Sequence, residues 1–391
     1  MSKSRNKVII LFALIALVTA LAVVLGVYLI SGIRGSNIEK FSDFRSYIND
    51  LPRKGPDISG LNLTTQKDAA EVLKFSQFNL NTKWPSKEKM PASFDPVKLL
   101  NSAKNPGLGI AALHAKGITG KGISIGVIDL PIFTKNTEYK DRIKEYKAFG
   151  ESGLKSSDTS VALLSALVGR TVGMAPDADV YYAATATDKL DVAYYSQAVD
   201  WFIELNKSLP KEKRIRLVMV PVAPDAIGEG DYSTPFTANT NLWGPALKRA
   251  EAAGIVIFDL TSRRKTGACW IDTSKPDDFL AVQQGYPDEP NKDVMSGDVL
   301  VPTSPKTVVE EYVEGQTGYR YIPRTGAPFI TSYTVGLVAL GIQSAGFEKT
   351  KALTLQMFND KLYSTSYAQK NGLKINHIVN PKAFIEALKK N

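Results

Sequence analysis

The alternation of predicted strands and helices after residue 103 constrains the fold of this chain most. Short apolar runs with the composition of buried strands alternate with stretches that space apolar residues as a helix does. The strand segments are residues 122–129, 178–185, 216–222 and 254–260, and the helical segments are residues 159–169, 191–206, 242–253 and 328–345. Because such alternation produces parallel sheets covered by helices, we predict an α/β fold with a mostly parallel central sheet.

The first predicted strand ends on one carboxylate, Asp129. Open α/β sheets place their chemistry at the carboxyl ends of the strands, so this residue is a candidate for a functional role. The alternative is that Asp129 caps the following turn, which Pro131 favours. From this stretch alone the turn is the better interpretation.

A charge-free run near the N-terminus predicts a membrane anchor. Residues 8–33 contain no charged residue, follow three basic residues, and are long enough to cross a bilayer with some tilt. A cleaved signal peptide is the alternative, because residues 20–22 (Ala-Leu-Ala) suit cleavage, but the apolar run continues for eleven residues beyond them. We expect one transmembrane signal anchor, with residues 1–7 in the cytoplasm and the rest outside.

Composition bounds the remaining possibilities. The 391 residues are 44% hydrophobic, which is enough for one large core. The net charge of +9 includes three charges from the cytoplasmic tail, and no basic run is interleaved with aromatic residues, so no nucleic-acid groove is predicted. The single cysteine, Cys269, excludes an intrachain disulfide. We expect a cytoplasmic tail (1–7), a span (8–33), a juxtamembrane stalk and arm (34–102) and a globular domain (103–391), with the second half of the arm against the domain.

Seven segments resemble, in the same order, those of the subtilisin-like serine peptidases, or subtilases. Residues 120–129 resemble the strand that carries the family's acid, and residues 161–178 resemble the helix after its histidine and the Gly-Val-Ala-Pro turn. The other matching segments are 217–220 (substrate-pairing strand), 252–257 (strand before the oxyanion asparagine), 294–298 (Ala-Pro-Gly turn), 326–340 (nucleophile loop and helix) and 379–383 (closing helix). The resemblance implies a subtilisin-like three-layer fold from about residue 117 to the C-terminus, preceded by the transmembrane helix.

The same resemblance implies that the catalytic triad is incomplete. A serine hydroxyl attacks only when an imidazole takes its proton, and the acid orients that imidazole. Asp129 occupies the acid position, but Ser157 stands at the histidine position and Pro328 at the serine position. The position of the oxyanion asparagine falls near Ser262 or Arg263. We therefore predict a degenerate subtilase without the base and the nucleophile.

Neither histidine of the chain lies in a segment that would aim it at Asp129. His114 precedes the first strand and His377 precedes the final helix, so both are expected to be structural or surface residues. A sedolisin-like arrangement with a glutamate base also fails, because the segment after Ser157 offers Asp158 instead.

Two charged pairs leave alternatives open. Asp129 and Asp158 are candidates for paired carboxylates that share a proton or bind a cation, although the position of Asp158 favours a cap on the following helix. Asp259 with Arg263 or Arg264 is a candidate for a charged site on the cleft rim, and solvated loop charges are the favoured interpretation.

The function predicted from these residues is that of a membrane-anchored pseudopeptidase outside the plasma membrane, most simply of a bacterium. It would bind a peptide or protein without hydrolysis, by backbone pairing with Val218, Met219 and Val220, although Pro221 removes one donor. The alternatives are an active membrane-bound serine-type endopeptidase with a non-standard catalytic site, and a structural envelope protein whose cleft is filled by residues 34–102. No metal and no cofactor are predicted.

Overall fold

The structure is a computed structural model that describes residues 44, 48, 55–150, 155–185, 191–225, 236–261, 263–288, 296–371 and 374–390. These residues form two compact units. The smaller unit contains the described residues up to 73 together with 81–94, and the larger unit contains 74–80 and the described chain from 95 onwards. Residues 95–102, which the sequence placed in the arm, thus belong to the larger unit.

The predicted transmembrane segment, residues 8–33, lies outside the described residues. Within the described ranges, no helix is both long and apolar enough to cross a membrane. The smaller unit has its own aromatic contact, in which the rings of Trp84 and Phe94 are 5.5 Å apart.

Helices and strands alternate through most of the larger unit. The α-helices that lie wholly within the described residues of both units are α1 (Ala69–Lys74), α2 (Pro96–Ser102), α3 (Ile110–His114), α4 (Asp158–Val168), α5 (Val192–Ser208), α6 (Trp243–Ala252), α7 (Pro328–Ala345), α8 (Phe347–Thr350), α9 (Leu355–Ser364) and α10 (Pro381–Lys389). The strands are β1 (Phe78–Asn79), β2 (Ser124–Asp129), β3 (Ile143–Phe149), β4 (Asp179–Thr185), β5 (Leu217–Met219), β6 (Val256–Phe258), β7 (Thr266–Ile271), β8 (Val282–Gln283), β9 (Val299–Ser304), β10 (Lys306–Glu310), β11 (Gly318–Ile322), β12 (Tyr367–Asn371) and β13 (Lys374–Ile378).

The central sheet is parallel and has the strand order β3-β4-β2-β5-β6. Strand β2 lies in the middle and is buried along its whole length, which explains its nearly uncharged sequence. Gly126 within it is required for packing, because a Cβ there would lie 2.9 Å from the ring of Phe202 in α5. The sequence did not predict the edge strand β3, whose charged residues Lys144, Glu145 and Lys147 suit an edge rather than a buried strand.

Helices cover both faces of this sheet, as the alternation predicted. Ile125 and Val127 of β2 pack into the core that contains α4 and α7, whereas Ile128 packs into the core that contains α5 and α6. Because successive side chains of a strand point to opposite faces, Asp129 points to the α4 face. The three layers and the central position of β2 therefore bring Asp129 to the start of α4.

Two further sheets complete the larger unit. One has the order β12-β13-β9-β7-β8 and is mixed, with β7, β9 and β13 parallel. The other is antiparallel, with the order β1-β11-β10. Helix α7 packs against α4 and α10 and is buried from Phe329 to Ile342.

Candidate functional site

Asp129 ends β2 as a buried carboxyl group, only 5% exposed. Its Oδ1 accepts a hydrogen bond from the backbone N–H of Leu130 at 2.8 Å, and its carbonyl oxygen accepts one from the hydroxyl of Thr185 at 3.2 Å. Asp129 Oδ2 and the nearby Ser160 Oγ are both buried, and neither makes a well-formed hydrogen bond with a described residue. One oxygen of this carboxyl is therefore left without a good donor.

Burial dominates the electrostatics of this group. Desolvation raises the pKa of Asp129 to about 7, while the Leu130 N–H and the Ser160 hydroxyl act in the opposite direction. The charge of Asp129 in turn contributes to the raised pKa values of Tyr182 and Tyr195, for which desolvation is the larger cause. An acid that holds an imidazolium must be ionised, and burial opposes ionisation of this carboxyl. Ser160 is 1% exposed, so its hydroxyl is not accessible to a substrate.

Ser157, which the sequence predicts at the position of the base, is the N-cap of α4. Its hydroxyl accepts a hydrogen bond from the backbone N–H of Ser160, and its own N–H donates to Pro131 O at 2.7 Å. The second of these bonds holds the start of α4 beside the chain that leaves β2. Ser157 therefore has a structural role that its neighbours in sequence explain.

The prediction that Asp158 caps the helix is wrong. Asp158 is the first residue of α4, and its Oδ2 accepts a hydrogen bond at 2.6 Å from Nη1 of Arg320 in β11. Arg320 also lies close enough to Glu310 to lower the pKa of that carboxyl, although burial raises it more. The guanidinium of Arg320 is therefore bound to the carboxylate of Asp158, the proposed partner of Asp129. The paired-carboxylate alternative has no geometric support.

Pro328, which the sequence predicts at the position of the nucleophile, is the first residue of α7 and has no hydroxyl group. The next serine, Ser332, is buried one turn later, where its Oγ donates to Leu163 O at 3.1 Å. Gly336 lets α7 pack closely on the turn that follows α4, because a Cβ there would lie 2.3 Å from Met174 Cβ. The described part of α7 thus offers no exposed hydroxyl near its N-terminus.

The expectation that Asp259 is a solvated loop charge is also wrong. Asp259 is 3% exposed, and its Oδ2 accepts hydrogen bonds from Arg263 Nη2 at 2.8 Å and from Trp243 Nε1 at 2.9 Å. Thr261 donates to the other oxygen of the carboxylate. Arg263, one of the two residues predicted near the oxyanion position, is held by this buried carboxylate, while Arg264 donates instead to Thr266 O. The other, Ser262, lies outside the described residues.

The strand predicted to pair with a peptide has no open edge at two of its three residues. Val218 and Met219 pair with β2 on one side and with β6 on the other. The N–H of Val220 donates to Phe258 O at 2.9 Å. All three side chains are buried, because β5 is an interior strand of the sheet. Peptide pairing at Val218 and Met219 is therefore contradicted by the sheet order.

Both histidines lie away from Asp129. Nε2 of His114 is 2.8 Å from Met174 O, and burial lowers the pKa of its imidazole. His377 Nδ1 is 2.9 Å from Ser366 Oγ, and its ring packs on Tyr363. Among the described residues, no group of three or more His, Cys, Asp or Glu side chains is placed to hold a metal ion.

Sequence reasoning missed two contacts, that of Ser160 with Asp129 and that of Arg320 with Asp158. Ser160 is three residues after a helix cap, a spacing that gives no sign of a contact with β2. Arg320 lies 162 residues from its partner. Only the tertiary structure brings either pair together.

The comparisons with known proteins concern the fold. No family model matches the chain, and no curated protein is similar to it in sequence. The subtilase cytotoxin SubAB, from a structure of its assembly, has a TM-score of 0.52 at 12% identity, covering 73% of this chain and 95% of that one. The A-subunit of the AB5 toxin from E. coli has the same TM-score and identity, covering 73% of this chain and 100% of that one. Such low identity establishes the fold alone, and the fold of this chain is that of the subtilisin-like proteins.

Proposed function

We propose that this protein is a subtilase-like pseudopeptidase, anchored in the plasma membrane by residues 8–33, whose domain outside the membrane binds a peptide or protein partner without hydrolysing it. The proposal rests on what is found at two positions of the chain. By the sequence resemblance, Ser157 and Pro328 stand where the base and the nucleophile would be. Each begins a helix, Ser157 as the N-cap of α4 and Pro328 at the first position of α7. Both residue types are favoured at those helix positions for structural reasons.

This arrangement lacks the nucleophile and the base that acyl transfer requires. Proline has no group to attack a carbonyl carbon, and a serine hydroxyl does not accept a proton at neutral pH as an imidazole does. Removing the triad in related enzymes leaves only about 10³- to 10⁴-fold acceleration over water, which comes from the oxyanion hole and substrate binding. The resemblance places the oxyanion position near Ser262 or Arg263, and the guanidinium of Arg263 is bound to Asp259.

The experiment uses the full-length protein in detergent micelles. A serine-directed fluorophosphonate probe measures labelling, and a mixed peptide library analysed by mass spectrometry measures cleavage. We expect neither labelling nor cleavage. Cleavage that the variant Asp129→Ala abolishes would overturn the proposal and favour the active endopeptidase with a non-standard site.

The anchor is tested separately. The full-length protein should stay in the membrane fraction after carbonate extraction, whereas a variant that lacks residues 8–33 should be released. Protease added to intact cells should digest the domain after residue 34 and spare a tag on residues 1–7. A protected domain would overturn the proposed orientation.

A further inference from the structure

A pocket of about 460 Å³ lies beside β6, between the end of α6 and the segment that starts α9. This volume falls in the range of small-ligand sites. Except for Arg263, none of the residues discussed above as catalytic positions lines it. It is therefore a separate feature of the fold.

The pocket borders an open edge of the central sheet. Val256 N donates to Arg216 O and Phe258 O accepts from Val220 N, so these two residues of β6 face β5. In a parallel ladder the residue between them points its N–H and C=O the other way. Ile257, which lines the pocket, is that residue, and no described strand pairs with this side of β6. An extended peptide can add to such an edge through backbone hydrogen bonds.

A buried cation without a carboxylate partner lines the same pocket. Arg216 is 6% exposed and donates to the backbone oxygens of Gly254, Thr350 and Leu353, while its Nε has no partner among the described residues. Burial alone lowers its pKa to about 10, so the guanidinium is charged at neutral pH. Every bond that Arg216 makes with a described group goes to a neutral carbonyl, which leaves its charge uncompensated.

The surroundings of Arg216 add to the positive potential. Lys265 and Lys351 also line the pocket, and their side chains are 46% and 47% exposed. They form surface ion pairs with Asp298 and Glu348, and such exposed pairs contribute little binding energy. The backbone at the start of α9 lines the pocket too, and a helix N-terminus favours negative charge. Glu251 is the only acidic residue of the described lining. The apolar part of the lining consists of Leu247, Ile255, Val256, Ile257, Ala352, Leu353 and Leu355.

We propose that this pocket binds the C-terminal carboxylate of an extended peptide, with the backbone of the peptide on Ile257, its apolar side chains on the apolar lining, and its carboxylate near Arg216, Lys265 and Lys351. A peptide C-terminus combines the three complements of this lining, namely a negative charge, unpaired backbone groups and apolar side chains. The inference rests on the proposed peptide-binding function and deepens it, because it names the site and the part of the partner that is recognised.

The experiment measures binding of fluorescein-labelled hexapeptides with apolar C-terminal residues to the full-length protein by fluorescence anisotropy. The peptide pool is prepared in two forms, with a free C-terminal carboxylate and with a C-terminal amide. We expect the amide to bind about tenfold more weakly, the loss of one charge-assisted interaction. The double variant Lys265→Glu/Lys351→Glu should weaken binding of the free acid to a similar extent, whereas Lys121→Glu, at an exposed lysine outside the lining, should leave it unchanged.

Equal binding of the two peptide forms, or unchanged binding by the double variant, would overturn the proposal. Binding of inorganic phosphate without binding of the peptides would also overturn it. Mass spectrometry of the recovered peptides separates this inference from the proposed function. If binding depends on the carboxylate and the peptides are recovered cleaved, the pocket is supported and the pseudopeptidase is overturned. If the peptides bind regardless of their C-terminus and are recovered intact, the pocket is overturned and the pseudopeptidase is supported.

Discussion

The hydroxyl of Ser157 accepts a hydrogen bond from the backbone N–H of Ser160 at 3.2 Å, so the residue predicted at the position of the catalytic base caps the helix that follows. The same helix then presents Ser160 to the buried carboxyl of Asp129. Ser157 thus stabilises a helix, and its contribution is measurable as stability.

Ser157→Ala should lower the free energy of unfolding by about 1 kcal/mol, because the first turn of α4 loses a side-chain acceptor. Ser157→Asn is the matched control, since asparagine also caps helices and should keep most of the stability. Denaturant titration followed by circular dichroism measures both. An alanine variant as stable as the unmodified protein would show that the cap contributes nothing.

Asp129 should make the protein less stable as the pH rises. The unfolded carboxyl ionises near its ordinary pKa of 3.8, whereas the folded one keeps its proton until about pH 7. The folded state therefore binds the extra proton in this interval, and the free energy of unfolding falls from pH 4 to pH 7, by an amount on the order of 1 to 4 kcal/mol. Asp129→Asn cannot ionise and should show a smaller fall.

The measurement for Asp129 is a series of denaturant titrations between pH 4 and pH 8 on both proteins. Above pH 7 the asparagine variant should be the more stable of the two. Parallel curves for the two proteins would contradict a buried, proton-retaining carboxyl.

Gly336→Ala should destabilise the protein although alanine favours helices. The added Cβ would lie 2.3 Å from Met174 Cβ, and overpacking of this kind costs about 1 to 3 kcal/mol. Gly244→Ala in α6 is the matched control, because no atom lies within 4 Å of the added Cβ, and it should stabilise by about 0.5 to 1 kcal/mol. Thermal unfolding compares the pair, and equal shifts would argue against close packing of α7 on Met174.

Asp158→Ala should cost about 1 to 3 kcal/mol, because it leaves the guanidinium of Arg320, whose side chain is 7% exposed, without its 2.6 Å partner. The control is Asp200→Ala, which removes the partner of Arg249 on the surface and should cost less than about 1 kcal/mol. Denaturant titration at low and high salt measures both. A similar cost for the two would mean that the burial of Arg320 is energetically unimportant.

The sequence determined the α/β architecture and most of its elements. Strand β2, the long buried helix α7 and the alternation between them follow from local apolar patterns, which depend on the two periodicities of strands and helices. Pro328 at the start of α7 also follows from the sequence, because residue preferences at helix ends are local. The same preferences placed the cap of α4 one residue too late, at Asp158 instead of Ser157. The absence of a hydroxyl at Pro328 needs no structure at all.

Only the tertiary structure decided which groups meet. Arg320 neutralises Asp158 across 162 residues of chain, Asp259 is buried by Trp243 and Arg263, and β5 lies inside the sheet rather than at its edge. Strand order and side-chain burial depend on contacts between distant segments, so the local pattern of β5 could not tell an interior strand from an edge strand. The pocket beside β6 could not be predicted for the same reason, because its residues come from four separate segments that the fold brings together.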